Sequence, residues 1–539
     1  MTPRTPAQVR ILICDDLHPD GIARLRELGF EPEERVGMTP EELLTAVPDV
    51  HGVMVRSATK ITADVIAAAP HLEVVGRAGV GVDNVDVKAA TQRGVVVMNT
   101  PTGNTVTTGE LAISLLCSVA RHIPRADRLT RSGTWKKKGL MGSEITGKTL
   151  GVIGLGRIGR VVADRAQGLR MNVIAHDPYL SGTGAASPVE GVDLMTLDEL
   201  LERADFVTLH VPLIDSTRNI ISKEAMAKMK PGARLINAAR GGLVDEHALA
   251  EALESGHLAG AALDVMVEEP PSPDHPLLGR EDVILTPHLG ASSHEAQRKV
   301  AVDLADQFGT FFHDGIAHNA VNAPAVSAST LRSLGAYGVL AERMGSFLAQ
   351  RMQQPIEKIE FSVSGKVAEK DDGYLKLLLL SSVLGQSMDI GVNLVNAPLL
   401  AKERGLRVLE GGDEDALGYT SLLGVRVSSK NGAESHAVAG TVFGGQPRFV
   451  RVDGMHTDFA AEGHLLITTH HDRPGVLGAI GAVLGDCGIN IRRVDLGPAK
   501  QSAEGLASAF LSLYDTAPDD VLDRVRAIEP VVSAQRIEL

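Results

Sequence analysis

Three short apolar runs in the middle of the chain each lead to side chains that can do chemistry. ARLINAA (233–239) runs into Arg240-Gly241-Gly242, GAALDV (260–265) leads to Glu268-Glu269-Pro270, and DVILTPH (282–288) ends on His288-Leu289-Gly290. A histidine titrates near neutrality and can accept a proton. A carboxylate beside it orients the ring and stabilises the imidazolium. A guanidinium grips a carboxylate through two parallel hydrogen bonds and polarises a nearby oxygen. Together these types suit the oxidation of a 2-hydroxy acid, in which carbon loses a hydride and the hydroxyl a proton. Taken singly, His288 reads as a loop histidine, Arg240 as a surface charge and Glu269 as a solvated acid. Their shared position after consecutive strands overturns those readings, because open α/β sheets bind ligands at the carboxyl ends of their strands.

The hydride needs an acceptor. Gly154-Leu155-Gly156-Arg157-Ile158-Gly159 is a G-x-G-x-x-G turn that follows the run TLGVIG and opens a helical pattern. In such a turn the first glycine permits the bend, the second lets backbone approach a pyrophosphate, and the third packs helix on strand. The pyrophosphate then meets free N–H groups at the helix start. A further run, NVIAHD, ends on Asp177, 18 residues after Gly159. A carboxylate there suits the adenosine ribose hydroxyls and repels the extra phosphate of NADP. The expected cofactor is NAD, and no metal is required.

Elements able to hold these residues can be read along the chain. RILICDD (10–16), GVMVRS (52–57), VVGRAG (74–79) and VVVMNT (95–100) are compact β-branched runs separated by helical patterns, as in a doubly wound parallel sheet. An amphipathic helix over about 106–122 leads to a second βα series, which also includes DFVTLHV (205–211). A helix over about 294–314 carries the chain back to the first unit. Residues 326–455 mix helix (375–387) with strands such as LGVRVSS and HAVAGTVFGG, and they carry no chemical motif. From about 456 the order is β-α-β-β-α-β, the ferredoxin-like arrangement.

Composition agrees with this reading. The 539 residues suggest three or four domains, and only 3% are aromatic, so the cores are aliphatic, as buried parallel sheets require. A net charge of −14 argues against nucleic acid and anionic membranes as partners, and Lys136-Lys137-Lys138 is too short a run to reverse that. Cys14, Cys117 and Cys487 are scattered, which suits a reducing compartment and no zinc site. With no signal-like N-terminus and no apolar run of about 18 residues, a cytoplasmic location is expected.

The segments at 239–246 (ARGGLVDE), 262–271 (ALDVMVEEPP) and 286–293 (TPHLGASS) resemble the signatures of the D-2-hydroxyacid dehydrogenase family, over roughly residues 10–325. The resemblance implies Arg240, Glu269 and His288 as the catalytic set. It implies Asp264 near the nicotinamide, and Val80, Val211, Ala238, Ala239, Gly290 and Ala291 lining the cofactor. Arg56-Ser57 and the run Arg77 to Asn84 follow predicted strands, and Gly79 and Gly81 let backbone N–H groups approach an anion. Arg56 and Arg77 suit a doubly anionic phosphoester, with Asn104 after a fourth strand.

These segments, with MNTPTGNTVTTGE and WKKKGLMG, resemble the family branch that oxidises 3-phospho-D-glycerate to 3-phosphooxypyruvate, the first step of phosphorylated L-serine biosynthesis. The branch also implies that the segment after Trp135 lies near a neighbouring subunit's site. HDRPGVL (471–477) followed by CGINI (487–491) looks like an ACT domain, a small amino-acid sensor. That likeness implies Asp472 and Asn490 as holders of L-serine, and a homo-oligomer joined through the Rossmann and C-terminal domains.

The architecture so implied is α/β. A flavodoxin-like substrate domain (1–104 and 295–325) and a Rossmann NAD domain (105–294) are both doubly wound. An α+β intervening domain (326–455) and a ferredoxin-like ACT domain (456–539) follow. Two other readings compete. A glyoxylate or hydroxypyruvate reductase of the same family usually lacks the C-terminal 215 residues. An NAD-sensing scaffold on the same fold carries partner grooves rather than an amino-acid sensor.

Overall fold

The computed structural model describes residues 4–181, 187–324, 328–369, 372–388, 391–411, 418–497 and 505–539, which form four sheets. The first has five parallel strands: Ile11–Ile13, Glu33–Glu34, Gly52–Val55, Val74–Arg77 and Val96–Asn99. The second of these lies outside the first and the others follow in sequence, which is the flavodoxin-like order. The four apolar runs all form strands. The edge strand Glu33–Glu34 has no counterpart in the hydrophobic pattern, because two glutamates leave periodicity nothing to register.

The helix His294–Asp314 returns to this sheet, capped by the Ser293 hydroxyl at one end and ended by left-handed Gly315 at the other. It buries Val300, Leu304, Phe308 and Phe311 against Ile11, Ile13, Met54 and Val74. Phe308 lies across two strands at once: a Cβ on Gly52 or Gly76 would sit 2.8 or 2.4 Å from its ring. Burying one such ring contributes about 1.5–3 kcal/mol.

The second sheet has seven parallel strands: Thr149–Ile153, Asn172–His176, Asp193–Leu194, Phe206–Leu209, Ala233–Asn237, Leu258–Leu263 and Val283–Leu285. Their order reverses between Thr149–Ile153 and Phe206–Leu209, which makes a Rossmann sheet with its crevice at that point. The helix Thr105–Arg121 packs Ala112, Leu116 and Val119 onto it.

The third sheet is mixed. Ile356–Gly365 runs parallel to Arg407–Glu410 and antiparallel to Ser421–Ser429, followed by Ser435–Phe443, Gln446–Val452 and Met455–Ala460. The helices Ala328–Arg351 and Gly373–Gly385 contribute to its core, so the expected α+β unit forms.

The fourth sheet is an antiparallel ladder in the order Ile491–Gly497, Leu506–Leu513, His464–His471, Val531–Glu538. The helices Val476–Asp486 and Asp519–Arg526 pack against Leu466 and Leu511 on one face. The other face, with Leu465, Ile467, Phe510 and Ile537, joins the core of the third sheet. Phe459 stacks on Phe510 with ring centroids 5.7 Å apart. Both faces are buried, which explains the unbroken apolar run LLI at 465–467.

The boundary expected at 456 is corrected by this arrangement. Met455–Ala460 pairs with Gln446–Val452 as the last strand of the third sheet, so the ferredoxin-like unit starts at His464. Among the described residues, no helix is long and apolar enough to cross a membrane.

Candidate active site

The carboxyl ends of the two parallel sheets open onto one cleft of about 700 Å³. Arg56, Ser57, Gly79, Val80, Gly81 and Asn104 line it from the first unit, and Val211, Ala238, Ala239, Gly290 and Ala291 from the second. Arg240, Glu269 and His288 line it as well, although they are far apart in sequence.

His288 Nδ1 lies 2.8 Å from Glu269 Oε2. With Nδ1 so engaged, Nε2 is the ring nitrogen left for substrate in the cleft that His288 lines. His288 itself has φ +55°, in the left-handed region, and its N–H donates to the Asp264 carbonyl at 2.9 Å. Asp264 organises this turn from below. Its carboxylate, 1% exposed, accepts from the Thr286 hydroxyl (2.6 Å), the Leu289 N–H (2.7 Å) and the Gly290 N–H (2.8 Å). Burial pushes this carboxyl above its ordinary value against those hydrogen bonds. Asp264 thus lies under the cleft wall, with its oxygens engaged by the loop that carries His288. The Thr108 hydroxyl donates to the Gly290 carbonyl at 2.7 Å and ties the same loop to the helix Thr105–Arg121.

Arg240 follows the strand Ala233–Asn237. The Asn237 amide donates to the Arg240 carbonyl (2.8 Å) and accepts from the Ala239 N–H (3.1 Å), which sets the turn. The Arg240 guanidinium reaches across to Asp83 of the first unit, Nε to Oδ2 3.3 Å. It also packs on Gly81, where a Cβ would lie 2.1 Å from Nη2.

Arg77, expected to touch substrate, lines the cleft too, with Nε donating to the Arg56 carbonyl (3.1 Å) and Nη1 to the Gly81 carbonyl. Burial, helped by the neighbouring Arg240 charge, brings Arg77 down to about 10. Behind it, Asp15 accepts from the Arg56 N–H (2.6 Å) and the Thr59 N–H (3.1 Å), holding the Arg56-Ser57 loop in place.

The glycine turn lies at one end of the cleft, which Ile158 lines. Gly154 has φ +92°, and a Cβ there would meet the His210 carbonyl at 2.6 Å. A Cβ on Gly159 would lie 2.0 Å from the Gly154 carbonyl oxygen, while one on Gly156 would meet nothing within 4 Å. The first and third glycines are therefore demanded by the protein itself, and the second faces open space at the start of the helix Arg157–Gly168. The N–H groups of that helix's first turn have no partner within the helix. Asp177 accepts from the Leu155 N–H (3.0 Å) and the Tyr179 N–H (3.0 Å), so it also braces the turn.

Sequence reasoning passed over His210, Asp83, Asp15 and Thr108. His210 lines the cleft with a buried Nδ1 that has no partner among the described residues, and burial brings it down to about 3, a neutral imidazole. Asn104 Oδ1 is likewise buried and without a partner among the described residues. Two orphaned polar atoms beside an open glycine turn fit a dinucleotide and a polar substrate as occupants. None of the four stood out because each type is common in loops and its role depends on a neighbour distant in sequence.

The structure does not bring Asp472 and Asn490 together. His464 and Ile491 both pair with Leu513, whereas His471 pairs with Leu506 at the other end of the sheet. Asp472 lies beside Gly505 and Asn490 beside Tyr514, so they stand more than a strand length apart, about 30 Å at 3.3 Å per residue. The helix between them forces this: a strand–helix–parallel strand crossover leaves the end of one strand and the start of the next at opposite ends of the sheet. Lys136 to Lys138 are exposed.

Residues 113–290 match the model of the D-isomer specific 2-hydroxyacid dehydrogenase NAD binding domain. Residues 333–453 match the D-3-phosphoglycerate dehydrogenase intervening domain, and 464–531 the ACT domain. A crystal structure of the TT0316 protein from Thermus thermophilus is 37% identical over 58% of this chain and all of that one, with a TM-score of 0.53. A glyoxylate reductase from Paecilomyes thermophila is 30% identical over 58% of this chain and 98% of its own, also at 0.53. Fold and cleft define an NAD-dependent dehydrogenase of the D-isomer specific 2-hydroxyacid class.

Two curated relatives extend over the C-terminal half. The D-3-phosphoglycerate dehydrogenase of Archaeoglobus fulgidus is 41% identical over 98% of this chain and 100% of its own length. That of Bacillus subtilis is 38% identical over 98% and 99%. The chain belongs to the D-3-phosphoglycerate dehydrogenase family.

Proposed function

We propose that this chain oxidises 3-phospho-D-glycerate to 3-phosphooxypyruvate in the cytoplasm, the first step of phosphorylated serine biosynthesis. The observation that carries the mechanism is the His288–Glu269 pair, set on the same cleft as Arg240. Arg240 pairs with the substrate carboxylate and polarises the C2 oxygen. Nε2 of His288 takes the hydroxyl proton, and Glu269 holds the resulting imidazolium in place. NAD, when bound, accepts the hydride from C2. The first turn of the helix after Gly156 would hold its pyrophosphate and Asp177 its ribose, with Ala238, Ala239 and Gly290 along its length. Arg56 and the backbone of Gly79 and Gly81 receive the phosphoester end, while Arg77 shapes the loop that does so. Residues 1–104 with 295–325 serve as the substrate domain and 105–294 as the cofactor domain.

NADH formation followed with 3-phosphoglycerate, glycolate and lactate in parallel tests the substrate. Faster turnover of glycolate or lactate would sink the assignment. The C-terminal sheets favour the phosphoglycerate reading, since the glyoxylate reductase likeness covers only 58% of the chain. Cofactor choice rests on Asp177: the protein should prefer NAD, and Asp177→Ala should narrow its preference over NADP. Equal use of both cofactors by the unmodified protein would refute that role.

The C-terminal unit is an L-serine sensor in this reading, and it needs a second copy. A second copy with its ACT sheet antiparallel to the first would set Asp472 of one beside Asn490 of the other, at a subunit interface. Trp135 and Met141, 87% and 90% exposed, support pairing of the cofactor domains as well. Asp472→Ala should weaken serine binding about ten- to a hundredfold, as loss of a charge-assisted contact does. Calorimetry on the full chain measures it; no heat and no inhibition at millimolar serine would remove the serine assignment and leave the dehydrogenase standing.

A further inference from the structure

Glu246 lies outside the cleft, on the first turn of the helix Glu246–Glu254, and is 7% exposed. Its Oε1 accepts the Val267 N–H at 2.8 Å, and its Oε2 lies 2.9 Å from His275 Nε2. Nδ1 of His275 accepts the Leu277 N–H at 3.3 Å, so the ring proton is on Nε2 and points at Glu246. The carboxylate therefore faces two donors, one on each side of Glu269 in sequence. The same peptide is pinned from a third direction: a Cβ on Gly241 would lie 1.9 Å from the Met266 carbonyl oxygen, so the Arg240 turn and the Glu269 loop touch backbone to backbone.

We infer that Glu246, with His275, is the positioning residue that holds the 266–277 loop so that Glu269 stays within hydrogen-bond reach of His288. The inference rests on the catalytic reading above. A carboxylate is required because both neighbours donate; a glutamine offers one oxygen and would set its NH₂ against the other donor. The buried polar group so orphaned frees the loop, and a displacement of about 1 Å at a catalytic group costs up to about a hundredfold in rate.

The test is E246Q, E269Q and the double variant in the full-length protein. E246Q should lower kcat about tenfold or more with NADH affinity within about twofold, and in the E269Q background it should cost no more than about twofold further. Normal kcat in E246Q, or full additivity with E269Q, overturns the inference. Should E246Q fail to fold, H275Q serves in its place, with a smaller loss in the same direction and the same non-additivity; additivity there overturns it equally. Normal turnover in E269Q and in a His288 variant would overturn the catalytic reading instead, so the two failures are distinguishable.

Discussion

His288→Ala lowers kcat by about a hundredfold or more, while NADH binds within about twofold of its normal affinity. A positioned general base contributes roughly 10²–10⁴ in rate. His288 is placed for that work by three independent constraints. Its Nδ1 is taken by Glu269, its N–H by the Asp264 carbonyl, and its φ of +55° by the turn that Asp264 closes. Alanine removes the imidazole and leaves the Asp264 hydrogen bonds to Leu289 and Gly290 intact, so the loop persists. The glycine turn at 154–159 has no part in the change. Steady-state kinetics with 3-phosphoglycerate and a fluorescence titration with NADH measure the two effects. A kcat within a few-fold of normal would remove His288 from the mechanism.

Gly241→Ala is expected to be nearly as damaging, through geometry alone. The added methyl would sit 1.9 Å from the Met266 oxygen and 2.3 Å from its carbonyl carbon. Both atoms are backbone, so no side-chain rotation relieves the contact. Either the Arg240 turn or the Glu269 loop must shift, and Arg240 and Glu269 then no longer face one substrate position. A loss of about a hundredfold in kcat/KM follows from a displacement near 1 Å. Circular dichroism separates this from unfolding. A folded Gly241→Ala protein with normal kcat/KM would show that the loop absorbs the methyl without moving the catalytic groups.

The chain's chemistry was legible early because it lies at strand ends. The runs at 149–154, 172–177, 233–239 and 260–265 are largely buried parallel strands, and the half-buried edge strand at 283–285 is equally apolar, so the point where apolar residues give way to Arg240, His288 or Asp177 marks the carboxyl end of the sheet. G-x-G-x-x-G was legible for a similar reason: Gly154 and Gly159 are steric necessities of one local turn. Elements without such a signal escaped, as the edge strands Glu33–Glu34 and Asp193–Leu194 show.

Tertiary structure alone decided whatever depends on two distant segments meeting. Arg77 is an anion ligand by type, and folding sets it on the cleft while directing two of its donors, Nε and Nη1, to the Arg56 and Gly81 carbonyls. Asp264 and Glu246 are carboxylates like any other until the loops at 286–290 and 266–277 bring them N–H groups. Likeness to an ACT domain put Asp472 and Asn490 in one site, yet within one chain the crossover helix sends them to opposite ends of a sheet. Residue type and local spacing determine which chemistry is available to this protein. How many atoms are left to perform it is decided by packing, because each donor or acceptor engaged inside the fold leaves a side chain less to offer a ligand.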